Sequence, residues 1–219
     1  DLFYKRNTTK FFKNRNWIGR EFTELSFNDE DLCPNDQKAS TMKFLSLYSV
    51  LIVPPLIALF PVVLFRISSE DRIRIRMWSG EFHFSDNLKD HISSAIVDIV
   101  SIIFVLSAIP PEHHSYVVRN VSEVTRKGSI LCFRDYAQFD ETQLKFAATN
   151  EQHKLQENFY VRQDGTMSYF FTLEYLREIF ENDQLFKMID GGYVTRETIN
   201  RAKDLCIDRR FLQAKFERL

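Results

Sequence analysis

Glycine is scarce in this chain, with six residues in 219. Loops that cradle a nucleotide phosphate with their backbone need glycines at fixed spacing, as in GxGxxG and GxxxxGK[ST]. Neither pattern occurs in the sequence. The chain therefore has no Gly-rich phosphate loop of these two types.

Cysteine is also rare, and the three residues, Cys33, Cys132 and Cys206, lie far apart without a CxxC pair. An odd number of scattered cysteines argues against a disulfide framework or a structural zinc site, and favours a reducing compartment. His113-His114 is the one adjacent histidine pair, and no third ligand follows at a metal-like spacing. We interpret that pair as surface polar residues at the start of a helix.

Excess charge is absent as well, because the formal net charge is -1. The distribution is nevertheless uneven, since residues 5–20 carry six basic residues and no acidic one, interleaved with Phe11, Phe12 and Trp17. This pattern is typical of an RNA-binding segment, and the alternative is a solvated helix face. Residues 26–41 are polar and predict a linker, so we divide the chain into an N-terminal segment, 1–41, and a main domain, 42–219.

One long apolar run stands out, KFLSLYSVLIVPPLIALFPVVLF at residues 43–65, with no charge from Phe44 to Phe65. A membrane-spanning helix needs about 20 apolar residues, so the length is sufficient. Pro54, Pro55 and Pro61 would interrupt such a helix repeatedly. We therefore predict no membrane partner and keep a single-pass membrane protein as the less favoured alternative.

The middle of the chain predicts a strand–helix–strand unit. AIVDIVSIIFVLSAIPP (95–111) is a continuous β-branched run of the kind buried on both faces of a parallel sheet. Residues 112–127 predict a helix that buries three valines and ends at Lys127-Gly128, and SILCFRDY (129–136) predicts the second strand. Two strands joined in this way run parallel.

The C-terminal part predicts a hairpin, a helix and two more strands. NFYVRQDGTMSYFF (158–171) alternates around Asp164-Gly165, and TLEYLREIFEND follows with Thr172 as N-cap. GGYVTRETIN and DRRFLQAKFE are the last strand candidates. A βαβ core ending in antiparallel strands predicts an α/β three-layer sandwich.

Candidate chemistry lies where the two buried strands end, because ligands of open α/β sheets bind beyond the carboxyl ends. Arg134 offers a guanidinium for phosphate or carboxylate, and Asp135 offers a carboxylate for an amino group. The alternative is an intrachain salt bridge. Arg162 and Asp164 present the same choice, and Asp-Gly is itself a turn sequence.

Four strings carry a family resemblance: DLFYKRNTTKFFKNRNWIGREFTEL, IIFVLSAIPPE, SILCFRDY and ENFYVRQDGTMSYFF. They closely resemble the tRNA N3-methylcytidine methyltransferases, over residues 1–25 and about 88–216. The resemblance implies a class I, Rossmann-like domain that uses S-adenosylmethionine to methylate N3 of a cytidine in a tRNA anticodon loop. It also implies an aminoacyl-tRNA synthetase partner such as seryl-tRNA synthetase, and a location in the cytoplasm, with the nucleus as a second compartment.

Site residues follow from the same resemblance. Tyr4 matches an aromatic residue of the family's N-terminal motif that contacts the cofactor, and Ile103 matches a cofactor-lining position. Five residues match family positions near the RNA or the mouth of the active site: Arg20, Arg134, Asp135, Arg162 and Asp164.

Residues 42–85 depart from the family. The glycine loop E-x-G-C-G-x-G-N has no counterpart, Leu51 stands where an acid is expected to bind the ribose, and Phe82 stands where an acid is expected near the adenine. We expect a fold incomplete in its first half, poor binding of S-adenosylmethionine, and an altered reading frame or mis-joined exon as the origin of this block. The alternative function is an impaired variant that retains RNA or partner binding. Since the chain starts at Asp1, we also expect it to be a piece of a longer protein.

Overall fold

A computed structural model describes residues 17–25, 51–53, 57–60, 63–68, 74–78, 82–83, 87–90, 94–95, 97–148, 153–163, 165–200 and 205–219. For residues 51–83, 198–200 and 205–206 it describes the backbone alone. Tyr4 and Asp164 lie outside the described residues, so their predicted roles stay predictions.

The described helices are short. They are α1 (Ile18–Glu21), α2 (His114–Val124), α3 (Glu141–Ala148) and α4 (Leu173–Glu181). Short 3₁₀ turns cover Thr23–Leu25, Leu88–Asp90, Leu106–Ala108, Pro111–His113 and Asn182–Gln184.

The strands form one large sheet and two small ones. In chain order they are β1 (Leu51–Val53), β2 (Ile57–Phe60), β3 (Val63–Ser68), β4 (Arg74–Trp78), β5 (Phe82–His83), β6 (Val97–Ile103), β7 (Thr125–Tyr136), β8 (Lys154–Gln156), β9 (Phe159–Val161), β10 (Met167–Tyr169), β11 (Phe186–Asn200) and β12 (Leu205–Arg218). The large sheet has the order β11-β12-β7-β6-β3-β4, and the small sheets have the orders β1-β2-β5 and β10-β9-β8.

The predicted βαβ unit lies at the centre of the large sheet. β6 and β7 pair in parallel, with Ile103 opposite Arg134, and α2 joins them. Every other described pairing in this sheet is antiparallel. The predicted parallel pair and the two antiparallel C-terminal strands are confirmed.

The predicted end of the connecting helix is wrong by three residues. α2 ends at Val124 rather than at Lys127-Gly128, because Thr125 has extended backbone angles and its hydroxyl donates to the Val121 carbonyl. The three valines predicted to face the core are buried: Val117, Val121 and Val124. The hydrophobic face therefore identified the helix, and the threonine determined where it ends.

Both faces of the sheet are covered. α2 and α4 pack on one face, over the cluster that contains Val100, Phe133 and Phe216. On the other face, α1 packs over Ile99 and Ile103. Three layers result, which confirms the α/β sandwich and the prediction that β6 is buried on both sides.

The hairpin and the helix after it also agree with the sequence. β9 and β10 pair antiparallel with Val161 opposite Met167. Thr172 caps α4 by accepting the Tyr175 N–H, and the helix buries Leu176, Ile179 and Phe180.

β3 and β4 form one end of the large sheet, while β1, β2 and β5 form a separate small sheet. The strand beside β6 is β3, and it runs antiparallel, with Val63 opposite Ser101. The described parts of the apolar run at 43–65 are strands, and no helix among the described residues is long and apolar enough to cross a membrane. The alternating residues Arg74, Ile75 and Arg76 begin β4.

Candidate functional site

The parallel strands β6 and β7 end at the same edge of the sheet, and aromatic residues follow there. Phe104 comes directly after β6, and its N–H donates to the Arg134 carbonyl at 2.7 Å. Its φ is +56°, a left-handed conformation that is uncommon for a residue other than glycine and that concentrates at functional sites. The neighbouring strand β12 places Phe211 opposite Tyr136 at this edge.

A cleft of about 550 Å³ opens beside these strand ends. We call it the aromatic cleft, and it is lined by Trp17, Arg20, Glu21, Phe104, Arg134, Arg196 and Phe211. Three aromatic rings, three guanidinium groups and one carboxylate thus share a space that can hold a nucleoside. Flat apolar faces with a few convergent polar groups are typical of small-ligand and base-binding pockets.

Arg134 is the central charge of the aromatic cleft and is 3% exposed. Its guanidinium lies 4.2 Å from the centre of the Trp17 ring, makes an ion pair with Glu21, and donates to Gln213 Oε1 at 2.9 Å. Glu21 also pairs with Arg196. The salt-bridge alternative therefore holds for Arg134, but the partner is Glu21, 113 residues away, and not Asp135.

Asp135 lies on the opposite face of β7 and is fully buried. Its Oδ2 accepts the Ser107 N–H at 3.0 Å, and its Oδ1 accepts the Tyr136 N–H at 2.9 Å. Burial raises the pKa of this carboxyl to about 6, against the opposing effect of these hydrogen bonds and of the Arg162 charge. Arg134 and Asp135 were predicted to act at one strand end, and the pleat separates them onto two faces.

Tyr136 connects the aromatic cleft to the hairpin. Its ring lies 5.2 Å from that of Phe104 and 6.0 Å from that of Phe170, measured between ring centres. Two guanidinium groups lie over the Tyr136 ring, that of Arg162 at 5.2 Å and that of Arg209 at 5.3 Å. Aromatic rings and arginines are combined in this way at sites where proteins stack unpaired bases, and cation–π pairs are also common within protein structures generally.

Comparison with known proteins gives the family. The human tRNA N(3)-cytidine methyltransferase METTL6 is 39% identical over 228 residues, which cover 99% of this chain and 78% of that protein. The chain belongs to the tRNA N(3)-cytidine methyltransferases. The Schizosaccharomyces pombe tRNA N(3)-methylcytidine methyltransferase trm141 is 34% identical over 228 residues, 100% of this chain and 91% of that protein. No protein-family model matches the chain.

Among solved structures, a SAM-dependent methyltransferase from Methanosarcina mazei is similar at 18% identity and a TM-score of 0.45, over 58% of this chain and 62% of that one.

Membership of the tRNA N(3)-cytidine methyltransferases confirms the predicted enzyme family, its class of reaction and its methyl donor, S-adenosylmethionine.

The structure divides the residues predicted from the family resemblance into two groups. Arg20 and Arg134 lie together in the aromatic cleft, while Asp135 and Arg162 lie beyond Tyr136, where the Arg162 charge acts on the Asp135 carboxyl. Ile103 is fully buried in the cluster beneath α1. The RNA and cofactor roles of these residues stay predictions.

Five cleft or edge residues were missed from the sequence. Four of them have the pattern of ordinary strand residues: Phe104, Arg196, Arg209 and Phe211. Glu21 gave no signal because its partner Arg134 is so distant. Phe104 had one readable signal, since it is the first residue after a buried strand.

The interpretation of His113-His114 as surface residues is wrong for His114, which is fully buried. Its Nε2–H donates to the carbonyls of Leu106 and Ile109, and its Nδ1 accepts from the Tyr175 hydroxyl at 3.0 Å. Burial lowers the pKa of this imidazole to about 4, so it is neutral at pH 7. The His114 ring thus holds the turn that carries Ser107 in place. The described residues contain no cluster that could hold a metal ion.

The described residues do not fit S-adenosylmethionine at the side of the edge that adjoins β3. The family resemblance predicts that a first strand ends there in a glycine loop whose backbone approaches the cofactor. In this chain the strand beside β6 begins at that edge, with Val63 opposite Ser101, and Gly80 is the only glycine between residues 42 and 85. The carboxyl end and the glycines of such a cradle are therefore absent from the described residues.

Proposed function

We propose that this chain binds the anticodon loop of a tRNA and takes one cytidine into the aromatic cleft for methylation at N3 with S-adenosylmethionine as donor. Family membership supports the reaction. The observation that carries the substrate side is the aromatic cleft itself, where Arg134 is held between the Trp17 and Phe211 rings, 4.2 Å from one centre and 4.9 Å from the other.

Cytidine suits this cleft for chemical reasons. Its N3 carries a lone pair, so methyl transfer needs no strong base, and the main task is to unstack the base and hold it in position. Phe104, Phe211 and Trp17 offer flat faces for the base. Glu21 is the carboxylate within the cleft, and its oxygens would accept from the exocyclic amine, a contact that thymine and uracil cannot provide.

The rim of the cleft supplies charge for the RNA backbone. Arg20 is exposed, and the Arg196 side chain is 58% exposed. Guanidinium groups at such positions bind phosphates in a salt-dependent way. Arg134, in contrast, is buried and paired with Glu21. We therefore propose that it holds Glu21 and the rings of Trp17 and Phe211 in position.

A second candidate is a chain that binds tRNA without methylating it. The antiparallel β3 beside β6 favours this candidate, because it leaves the described part of the edge without a cofactor cradle. The protein would then retain the aromatic cleft and its arginines while the cofactor side is lost.

Three finer features are proposed on the family resemblance alone. The target lies in the anticodon loop, the partner is an aminoacyl-tRNA synthetase such as seryl-tRNA synthetase, and the protein works in the cytoplasm and also in the nucleus. Co-purification with the synthetase and fractionation of cells would test the last two.

Two titrations and one assay distinguish these candidates. Calorimetry measures the binding of S-adenosylmethionine, fluorescence anisotropy measures the binding of labelled tRNA, and mass spectrometry of digested tRNA measures N3-methylcytidine. Product formation supports the methyltransferase, and tRNA binding without cofactor binding supports the second candidate. A protein that binds neither molecule would refute both.

The Phe211→Ala variant tests the aromatic cleft directly. Loss of one stacking ring weakens tRNA binding about tenfold. Tyr116→Ala is the matched control, because Tyr116 is 43% exposed on α2, away from the cleft. Equal affinities of the two variants would exclude the aromatic cleft as the base-binding site.

A further inference from the structure

A second group of aromatic residues lies outside the aromatic cleft and is open to solvent. Phe139 is 60% exposed and Tyr193 is 41% exposed. The Arg210 guanidinium lies between them, 4.2 Å from the Tyr193 ring centre and 6.0 Å from the Phe139 ring centre. We call this group the outer ladder.

Packing does not explain the outward position of Phe139. Its φ is +66°, in the left-handed region that a bulky residue seldom adopts. The backbone around it is fastened at several points, since the Phe139 N–H donates to Gln143 Oε1 at 2.6 Å and the Gln138 N–H donates to the Phe171 carbonyl at 2.9 Å. A rigid loop therefore presents this ring to solvent, as at binding sites where backbone strain is retained for function.

The backbone at Arg210 is also held in place by hydrogen bonds. Its N–H donates to Asp140 Oδ2 at 2.8 Å, and its carbonyl accepts the Ala137 N–H at 3.1 Å. Among the described residues, no acceptor contacts its guanidinium, whose neighbours are the two rings. The donors of Arg210 are thus available to a ligand, while the backbone that carries them is fixed.

The charge of the outer ladder favours an anionic ligand. Asp140 accepts the Arg210 backbone N–H, but it is fully buried and its carboxylate is paired with the Arg209 Nε at 2.9 Å. No ion pair of the Arg210 guanidinium occurs among the contacts of the described residues, whereas Arg209 is paired with Asp140. An anion with a flat apolar part would match both the guanidinium and the rings.

The outer ladder lies close to the aromatic cleft along the chain, on the other face of β12. Side chains alternate along β12, so Phe211 faces the cleft and Arg210 faces the ladder. Phe139 follows Tyr136 by three residues, a span of at most about 11 Å between the two Cα atoms. A strand of RNA that leaves the cleft at Tyr136 reaches the ladder within a short distance.

We propose that the outer ladder binds one unpaired nucleotide of the same RNA strand, next to the target cytidine, with its base stacked on Phe139 and its phosphate on Arg210. This assignment rests on the proposed function, because it extends the RNA path beyond the aromatic cleft. Two observations favour RNA over a protein partner: the positive charge of Arg210, and the short distance along the chain between Tyr136 and Phe139.

The test is tRNA binding by the full chain, measured by anisotropy over a range of salt concentrations. Phe139→Ala and Phe139→Leu weaken tRNA binding about tenfold, because stacking needs an aromatic face. Phe139→Trp keeps an aromatic ring and therefore binds tRNA with the affinity of the wild type. Arg210→Gln lowers the slope of log affinity against log salt by about 0.7, the value for one phosphate contact on a single strand. Tyr116→Ala, the distant exposed aromatic, leaves both quantities unchanged.

Each alternative has its own result. Wild-type affinity of Phe139→Ala, or an affinity of Phe139→Leu equal to that of wild type, would overturn the ladder, and the second result would indicate an apolar protein contact instead. Weakening by Phe211→Ala without weakening by Phe139→Ala would remove the ladder and leave the proposed function intact. No tRNA binding by the unaltered chain would remove the proposed function itself. Melting curves confirm that each variant is folded.

Discussion

The burial of Asp135 predicts a specific pH dependence of stability. Its pKa is about 6 in the folded protein, compared with an ordinary value of 3.8. Between these two pH values the unfolded chain releases the proton while the folded protein keeps it, so the free energy of unfolding falls as pH rises. Each pH unit in this window removes about 1.4 kcal/mol, which gives about 3 kcal/mol in total. The stabilising contribution is complete below pH 3.8 and is lost once the pH exceeds 6.

The assay compares wild type with Asp135→Asn by urea denaturation from pH 4 to pH 8. The two proteins share every other titratable group, so the difference between their free energies of unfolding isolates Asp135. Loss of one acceptor shifts that difference by a constant amount, because Asn keeps only one acceptor oxygen. We expect the difference to change by about 2 kcal/mol in favour of Asp135→Asn between pH 4 and pH 7, because part of the titration already lies below pH 4. A difference that stays constant with pH would refute the reasoning.

Three further substitutions test packing and pairing through urea denaturation. Glu21→Ala leaves Arg134 buried without its carboxylate and costs about 3 kcal/mol, and a loss below about 1 kcal/mol would contradict the pair. Leu176→Ala opens a cavity where α4 packs on the sheet and costs about 3 kcal/mol, so a near-neutral result would place that residue outside the core. Thr172→Ala removes the N-cap of α4 and costs about 1 kcal/mol; Thr172→Ser keeps the hydroxyl and should retain most of that stability.

Local patterns were sufficient for the centre of the sheet. β6 was readable as a continuous apolar run, and α4 was readable from its cap at Thr172 and from its apolar stripe. Each of these signals is complete within about a dozen residues. The order of strand, helix and strand then fixed the parallel pair, because the crossover rule leaves one arrangement.

α3 was missed because its sequence is only weakly amphipathic. Among its eight residues, Gln143 alone is buried. A capping signal was present, since Asp140 Oδ1 accepts the Thr142 N–H at 2.9 Å, but no hydrophobic run followed to support it. A helix held by one buried amide rather than by an apolar face has no strong period in its sequence.

The aromatic cleft was only partly predictable for a different reason. Arg20 and Arg134 were identified by family resemblance, yet the ion pair that organises them joins Glu21 to a residue 113 positions later. Likewise, Phe211 approaches Tyr136 only because β12 pairs antiparallel with β7. Contacts that depend on strand order cannot be read from spacing along the chain.

The edge of the sheet thus has two halves that are built independently. On one side of β6, the end of β7 and the paired middle of β12 bring Phe104, Phe211 and Arg134 into one cleft, and its described lining comes from outside residues 51–83. On the other side, β3 is antiparallel to β6 and starts where a cofactor-binding strand would end. Because different segments form the two halves, loss of one need not abolish the other. Affinity for tRNA and affinity for S-adenosylmethionine should therefore respond to separate sets of substitutions, and a chain that retained the first without the second would still keep the contacts of the aromatic cleft.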